Sequence, residues 1–171
     1  MAFIVEDGTG LSDSNAYITV DFFKEYHTDR RNNYTGKTDA EIQSGIIKAT
    51  DYIDRRFGGS FVGCRQLNTQ SLEWPRSGAD YPDGRRALLV PKEVQQATAE
   101  YSLRALSGEL APDPQYDVTN ASVVMRDEQV GPIRERYMFG NGGSTTAFRK
   151  YPLADALLKP LTAQPGYLKR V

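Results

Sequence analysis

One cysteine, Cys64, and one histidine, His27, are all the thiol and imidazole that 171 residues carry. An intrachain disulfide is therefore excluded, and so is a Cys/His zinc site built within one chain. Neither His-Glu-x-x-His nor an EF-hand loop is present, and the glycines and hydroxyls of 140–146 lack the lysine that a phosphate loop requires. No Gly-x-Gly-x-x-Gly stands between a strand and a helix, so dinucleotide binding has no motif. No apolar run approaches the roughly 20 residues of a membrane-crossing helix, and the opening one stops after Val5, short of what an export signal needs. Charge of one sign is missing as well: 21 Lys and Arg against 22 Asp and Glu give a net charge of −1, which supplies no bulk attraction for nucleic acid.

The residues that could carry chemistry have simpler readings. Cys64 lacks a basic cluster beside it and reads as an inert, buried or half-buried small residue. His27 falls on a patterned helix face and reads as a packed, hydrogen-bonded ring rather than a general base. Asp127 and Glu128 read as a solvated strand edge that discourages unwanted pairing. Trp74, the single tryptophan, reads first as a core anchor and second as a base-stacking platform. Arginines recur as Arg30/Arg31, Arg55/Arg56, Arg85/Arg86 and the spaced Arg134/Arg136; two of these pairs close helical patterns, where cations complement the helix dipole. No catalytic residue, cofactor or metal site is assigned, and the chain is expected not to be an enzyme.

What is present is helical periodicity, then a change to strand periodicity. Residues 1–18 are expected to be extended, with Asp7-Gly8-Thr9-Gly10 as turn chemistry. Thr19 can N-cap a first helix over 20–31, on which Val20, Phe23 and His27 recur at helical spacing. Thr38-x-x-Glu41 is a capping box that opens a second helix over 39–57, with Ile42, Ile46, Ala49 and Ile53 on one face and Gly58-Gly59 as a left-handed stop. Residues 58–89 form a long connection whose spaced apolar residues suggest a loop pinned to the body. The third helix opens with Pro91 at its first position and carries Val94, Ala97, Tyr101 and Ala105 on one face and Ala99, Leu103 and Leu106 on another, which implies burial between neighbours. Ala111-Pro112-Asp113-Pro114 marks a boundary. Beyond it the period becomes two over 122–130 and 133–139, flanking Gly131-Pro132, as in a hairpin. Pro152 begins a short helix with Leu153, Leu157 and Leu158, ended by Pro160, and the remaining residues read as a docking arm or a frayed terminus.

The fold class expected is mainly α with a β-hairpin (α+β): a small bundle of three main helices, an extended hairpin, a short C-terminal helix and a C-terminal arm. The corresponding segments are a helical core over 1–110, a hairpin extension over 111–146 and a C-terminal helix and docking arm over 147–171.

Seven segments, taken in order, resemble a family of tailed-bacteriophage proteins. They are Val5-Glu6-Asp7-Gly8-Thr9-Gly10, Ser14-Asn15-Ala16-Tyr17-Ile18-Thr19-Val20, Tyr26-His27-x-x-Arg30, Ala49-Thr50-Asp51-Tyr52-Ile53-Asp54, Leu72-x-Trp74-Pro75-Arg76, Val90-Pro91-x-Glu93-Val94 and Tyr151-Pro152-Leu153-Ala154-Asp155-Ala156-Leu157-Leu158. Members are often labelled DnaT-like single-stranded DNA-binding proteins but look like head-to-tail connector (adaptor, head-completion) proteins. The resemblance implies a structural subunit of a twelve-membered ring in the virion neck. It would be made in the host cytoplasm and hold a portal protein on one side and a tail-side protein on the other, with DNA passing through unread. By that analogy Tyr151, Leu153, Leu157, Leu158, Tyr167 and Leu168 would dock to the portal. Arg134, Arg136, Tyr137 and Phe139 would meet the neighbouring subunit or the tail side, although Arg134-Glu135-Arg136 is more charged than such a strand should be. Heterologous ring contacts need two distinct sticky faces, for which the two-faced third helix and the hairpin are candidates. The alternative from another class is a phage single-stranded DNA-binding protein, using tyrosine platforms and paired arginines.

Overall fold

The computed structural model describes residues 2–112, 125–130, 133–138 and 150–163, which fall into two compact units, Met1–Leu110 with Lys150–Val171 and Ala111–Arg149. The fold is α+β, with four α-helices among the described residues: α1 (Val20–Asp29), α2 (Asp39–Phe57), α3 (Lys92–Ala105) and α4 (Pro152–Leu158). Two antiparallel strand pairs accompany them, β1 (Cys64–Arg65) with β2 (Arg76–Ser77) and β3 (Met125–Val130) with β4 (Ile133–Met138). No helix among the described residues is long and apolar enough to cross a membrane.

Local chemistry accounts for the helix starts. The Thr19 hydroxyl accepts from the Phe22 amide and opens α1. At α2 both halves of the capping box form, Glu41 N–H to the Thr38 hydroxyl and Thr38 N–H to the Glu41 carboxylate, so two otherwise orphaned donors are satisfied. The helix ends differ from expectation. Gly58 keeps right-handed helical angles, because the chain tightens into a 3₁₀ turn (Gly58–Ser60) instead of reversing. Pro91 is the N-cap of α3 rather than its first helical residue, and Pro160 lies inside a closing 3₁₀ turn (Lys159–Leu161).

Helix α3 is covered on both faces by its own chain. Val94, Ala97 and Tyr101 join a cluster with Ala49 and Ile53 of α2, Trp74 and Ala154 and Leu158 of α4, while Ala99, Leu103 and Leu106 join Ile18, Phe23, Ile42 and Ile46. Both faces therefore pack against the chain's own interior, with Leu103 and Leu106 half-buried at the edge of the second cluster. Gly45 permits the close approach of α2 and α3, since a Cβ there would lie 3.2 Å from the Ser102 carbonyl oxygen.

The long connection is pinned as its apolar spacing suggested, with Phe61, Leu72 and Trp74 buried, but it also contains β1 and β2. Leu67 and Cys64 are exposed, so Cys64 is not the buried residue expected. The short C-terminal helix and the first residue after Pro160 are part of the core: Leu158 and Leu161 are both 0% exposed. Val62 N–H donates to the Leu161 carbonyl at 3.0 Å and Ala163 N–H to the Ser60 carbonyl at 2.7 Å, stitching the segment after α4 onto the end of the α2 extension. In the second unit, β3 and β4 pair from Met125↔Met138 to Val130↔Ile133, the register a hairpin about Gly131-Pro132 requires.

Candidate nucleic-acid interface

The one histidine and the one tryptophan are both part of the interior. His27 is buried; its Nε2–H donates to the Ala99 carbonyl at 3.0 Å and its Nδ1 accepts from Asn32 Nδ2 at 3.0 Å, so both ring nitrogens are used. Burial pushes its pKa down, against the opposing pull of the Ala99 carbonyl and Glu100, and the ring is held neutral. Trp74 is enclosed and packs edge-on against Phe61 at 5.5 Å between ring centroids, which removes it as a stacking platform. Among the described residues no group of His, Cys, Asp and Glu could hold a metal ion.

Arginine and tyrosine side chains instead form a connected ladder. The Arg30 guanidinium lies 3.5 Å above the Tyr26 ring and donates to the Tyr26 carbonyl at 3.0 Å. Tyr26 Oη–H donates to Glu100 at 3.1 Å, and Glu100 holds Arg104 at 2.8 Å. Arg104 in turn stands 5.7 Å over Tyr151, whose ring meets Tyr101 and Tyr52 nearly edge-on at 5.7 and 6.1 Å. Arg56 closes the ladder, donating to Tyr52 Oη at 2.7 Å and, through both terminal nitrogens, to Asp155 at 2.9 and 2.7 Å. Burial, then the Glu100 carboxylate, push the Tyr26 hydroxyl up to about 12, and burial with Asp155 raises Tyr101 further. These phenols are donors at any physiological pH.

Charge along this ladder is unevenly spent. Arg56 and Arg104 are neutralised by Asp155 and Glu100, and Lys24 and Lys37, beside the loop that joins α1 to α2, pair with Asp39 and Glu41. Arg30 and Arg31 are exposed and form no ion pair among the described residues. Arg31 adopts φ +54°, the left-handed region that costs a side-chain-bearing residue about 1 kcal/mol or more. Tyr34 is fixed beside them, its hydroxyl on Thr28 Oγ1 at 2.9 Å and its ring edge-on to Phe23. No aromatic side chain in 2–112 or 150–163 is exposed, so a base stacking here would meet a guanidinium plane rather than a bare ring.

Of the residues singled out by resemblance, Tyr151, Leu153, Leu157 and Leu158 lie on or beside α4 but differ in exposure. Leu153 is 72% exposed, Leu157 and Tyr151 are half-buried in the packing against α3, and Leu158 is core. Arg134, Arg136 and Tyr137 lie on β4, whereas Phe139, Tyr167 and Leu168 fall outside the described residues. Pattern reading also passed over Glu100, Arg104 and Asp155 as organising groups. Their partners lie up to 99 residues away, and a helix face of Glu and Arg at i, i+4 reads as ordinary solvated surface.

A family model described as "Putative DnaT-like ssDNA binding protein" matches residues 1–171. No curated protein and no solved structure matches the chain. The match overturns the expectation of a head-to-tail connector subunit and the structural vocabulary that went with it, because the family description names single-stranded DNA binding, the reading the sequence had placed second.

Proposed function

The chain belongs to the DnaT-like single-stranded DNA-binding family, and on that premise we propose that it is a non-enzymatic module that binds single-stranded DNA without reading its sequence. The observation that carries the proposal is the Arg30 guanidinium, exposed, stacked at 3.5 Å on Tyr26 and adjacent to Arg31, with neither cation spent on a carboxylate among the described residues. A guanidinium held against a ring on one face keeps its other face for a base and its N–H edges for phosphate, and it loses little side-chain freedom on binding. Near-zero net charge does not oppose this, since a local pair of cations suffices for a few phosphate contacts. Binding along a strand is commonly cooperative, so copies of the chain are its expected neighbours on DNA.

Fluorescence anisotropy with a labelled oligo-dT tests the assignment. Arg30→Ala with Arg31→Ala should weaken binding about 10- to 100-fold and lower the slope of log affinity against log salt by about 1.4, the counterion share of two phosphate contacts on a single strand. Arg31→Gly separates binding from folding: relief of the positive φ should leave the urea midpoint unchanged or raised while affinity falls. Unchanged affinity and salt slope in both variants would remove this surface from the DNA site.

A further inference from the structure

Three segments distant in sequence converge on one half-buried carboxyl of α2 that the DNA reading leaves unused. Asp54 Oδ1 accepts the Tyr17 hydroxyl at 2.5 Å, and Oδ2 accepts the Glu73 amide at 3.0 Å. The Tyr17 oxygen accepts the Trp74 amide at 3.2 Å, so the same knot fixes the loop that carries the tryptophan. A second strap ties the two outer segments to each other, with Ser14 and Ser71 hydroxyls 2.8 Å apart and Ser71 Oγ donating to the Ser14 carbonyl at 2.6 Å.

The charged groups that face Asp54 are few. From the tryptophan loop comes the Glu73 carboxylate, which Arg65 of β1 holds at 2.5 Å and Arg76 of β2 at 2.6 Å. From the N-terminal segment comes only the Tyr17 phenol, whose ionisation burial and Asp54 push far out of range. Arg65 attracts the ionised Asp54 and Glu73 repels it.

We propose that Asp54 is a proton-operated latch. Ionised, it clamps the N-terminal segment and the tryptophan loop to α2 by accepting two charge-assisted hydrogen bonds; protonated, it becomes a much poorer acceptor at the oxygen that carries the proton, and one of the two is weakened. The reason is the donor count. A carboxylate accepts at both oxygens, whereas a carboxylic acid carries its own donor at one, and here both oxygens face donors. A proton on Oδ1 weakens the bond from Tyr17, and a proton on Oδ2 weakens the bond from the Glu73 amide.

The latch operates near neutrality, because burial raises the Asp54 carboxyl to about 7 against the lowering influence of the Tyr17 and Glu73 bonds. Folding therefore tightens the hold on this proton. The linked stabilisation is complete below the ordinary carboxylate range near 4 and is lost as pH rises through about 7, so ionisation strengthens a bond at the expense of global stability.

The single tryptophan makes the test direct. Wild-type Trp74 emission, with hydrogen exchange of the Glu73 and Trp74 amides, should follow one transition centred near pH 7. Asp54→Asn, whose amide donates to Tyr17 and whose carbonyl accepts from Glu73, should be flat between pH 5.5 and 8.5, as should its urea midpoint. Tyr17→Phe, which removes a bond to the ionised form, should move the midpoint up by about one pH unit. His27→Gln should leave the transition in place. A transition that persists in Asp54→Asn, that disappears in His27→Gln, or that is missing from the wild type would overturn the latch.

Discussion

Asp155→Ala is expected to lower the stability of the helical unit by about 3 kcal/mol and to loosen α4 first. The carboxylate accepts both terminal nitrogens of Arg56, the Tyr101 hydroxyl and the Tyr151 amide, and so joins α2, α3 and the start of α4 in one group. Truncation takes from Arg56, whose side chain is 14% exposed, the carboxylate that both its terminal nitrogens donate to. The loss comes mainly from an enclosed cation deprived of this carboxylate rather than from the worth of the pair. Replacing both partners, Arg56→Met with Asp155→Leu, should therefore recover most of the stability. Urea denaturation of the single and double variants measures both effects, and amide exchange in Pro152–Leu158 reports whether α4 frees itself ahead of the remainder. A double variant as unstable as Asp155→Ala would show that packing, not the broken Arg56–Asp155 pair, sets the loss.

Glu6→Ala should cost a comparable amount, about 3 kcal/mol, by a different route. Glu6 is 4% exposed, and its two oxygens accept four hydrogen bonds: from the Gly8 and Gly10 amides at 2.9 Å each, the Leu11 amide at 3.0 Å and the Ser14 hydroxyl at 2.9 Å. Gly8 and Gly10 adopt φ of +93° and +84°, so the loop wraps the carboxylate in a conformation that side-chain-bearing residues resist. Glu6→Gln should be nearly as harmful, because its NH₂ would face donors where the carboxylate faces them with lone pairs. Ser14→Ala, which removes one donor and leaves the amides satisfied, should cost about 1 kcal/mol. Thermal or urea unfolding distinguishes this ordering from one in which the turn residues alone define the loop.

These groups also mark where sequence reading stopped. The Asp7-Gly8-Thr9-Gly10 turn was legible because glycine and aspartate favour turns wherever they stand, but nothing local says that the neighbouring Glu6 is its hub. The start of α2 was legible to the residue, since Thr38 and Glu41 complete their bonds within one turn. The two faces of α3 were legible from spacing, but what covers them was not: a stripe of apolar residues has the same appearance whether it meets its own chain or another. Helix stops were less secure, since Gly58 can take either hand and the following residues decided in favour of a 3₁₀ turn. The connector expectation failed for a related reason. Ordered motifs carry membership of a family, and the family matched across residues 1–171 is described by DNA binding, whereas a role in a ring depends on surfaces that motif order does not define.

The sequence by itself determined the helices, the α+β class and that one chain cannot build a Cys/His zinc site, because each follows from neighbours within a turn or two or from a simple count. Only the tertiary structure decided that Arg56 meets Asp155 across 99 residues, that Tyr17 and Glu73 share the Asp54 carboxyl, and that Arg30 keeps its charge while Arg104 gives its own to Glu100. Hydrogen bonds and ion pairs act over about 3 Å, and which side chains come within that reach is settled when α2, α3 and α4 pack, not by their places along the chain.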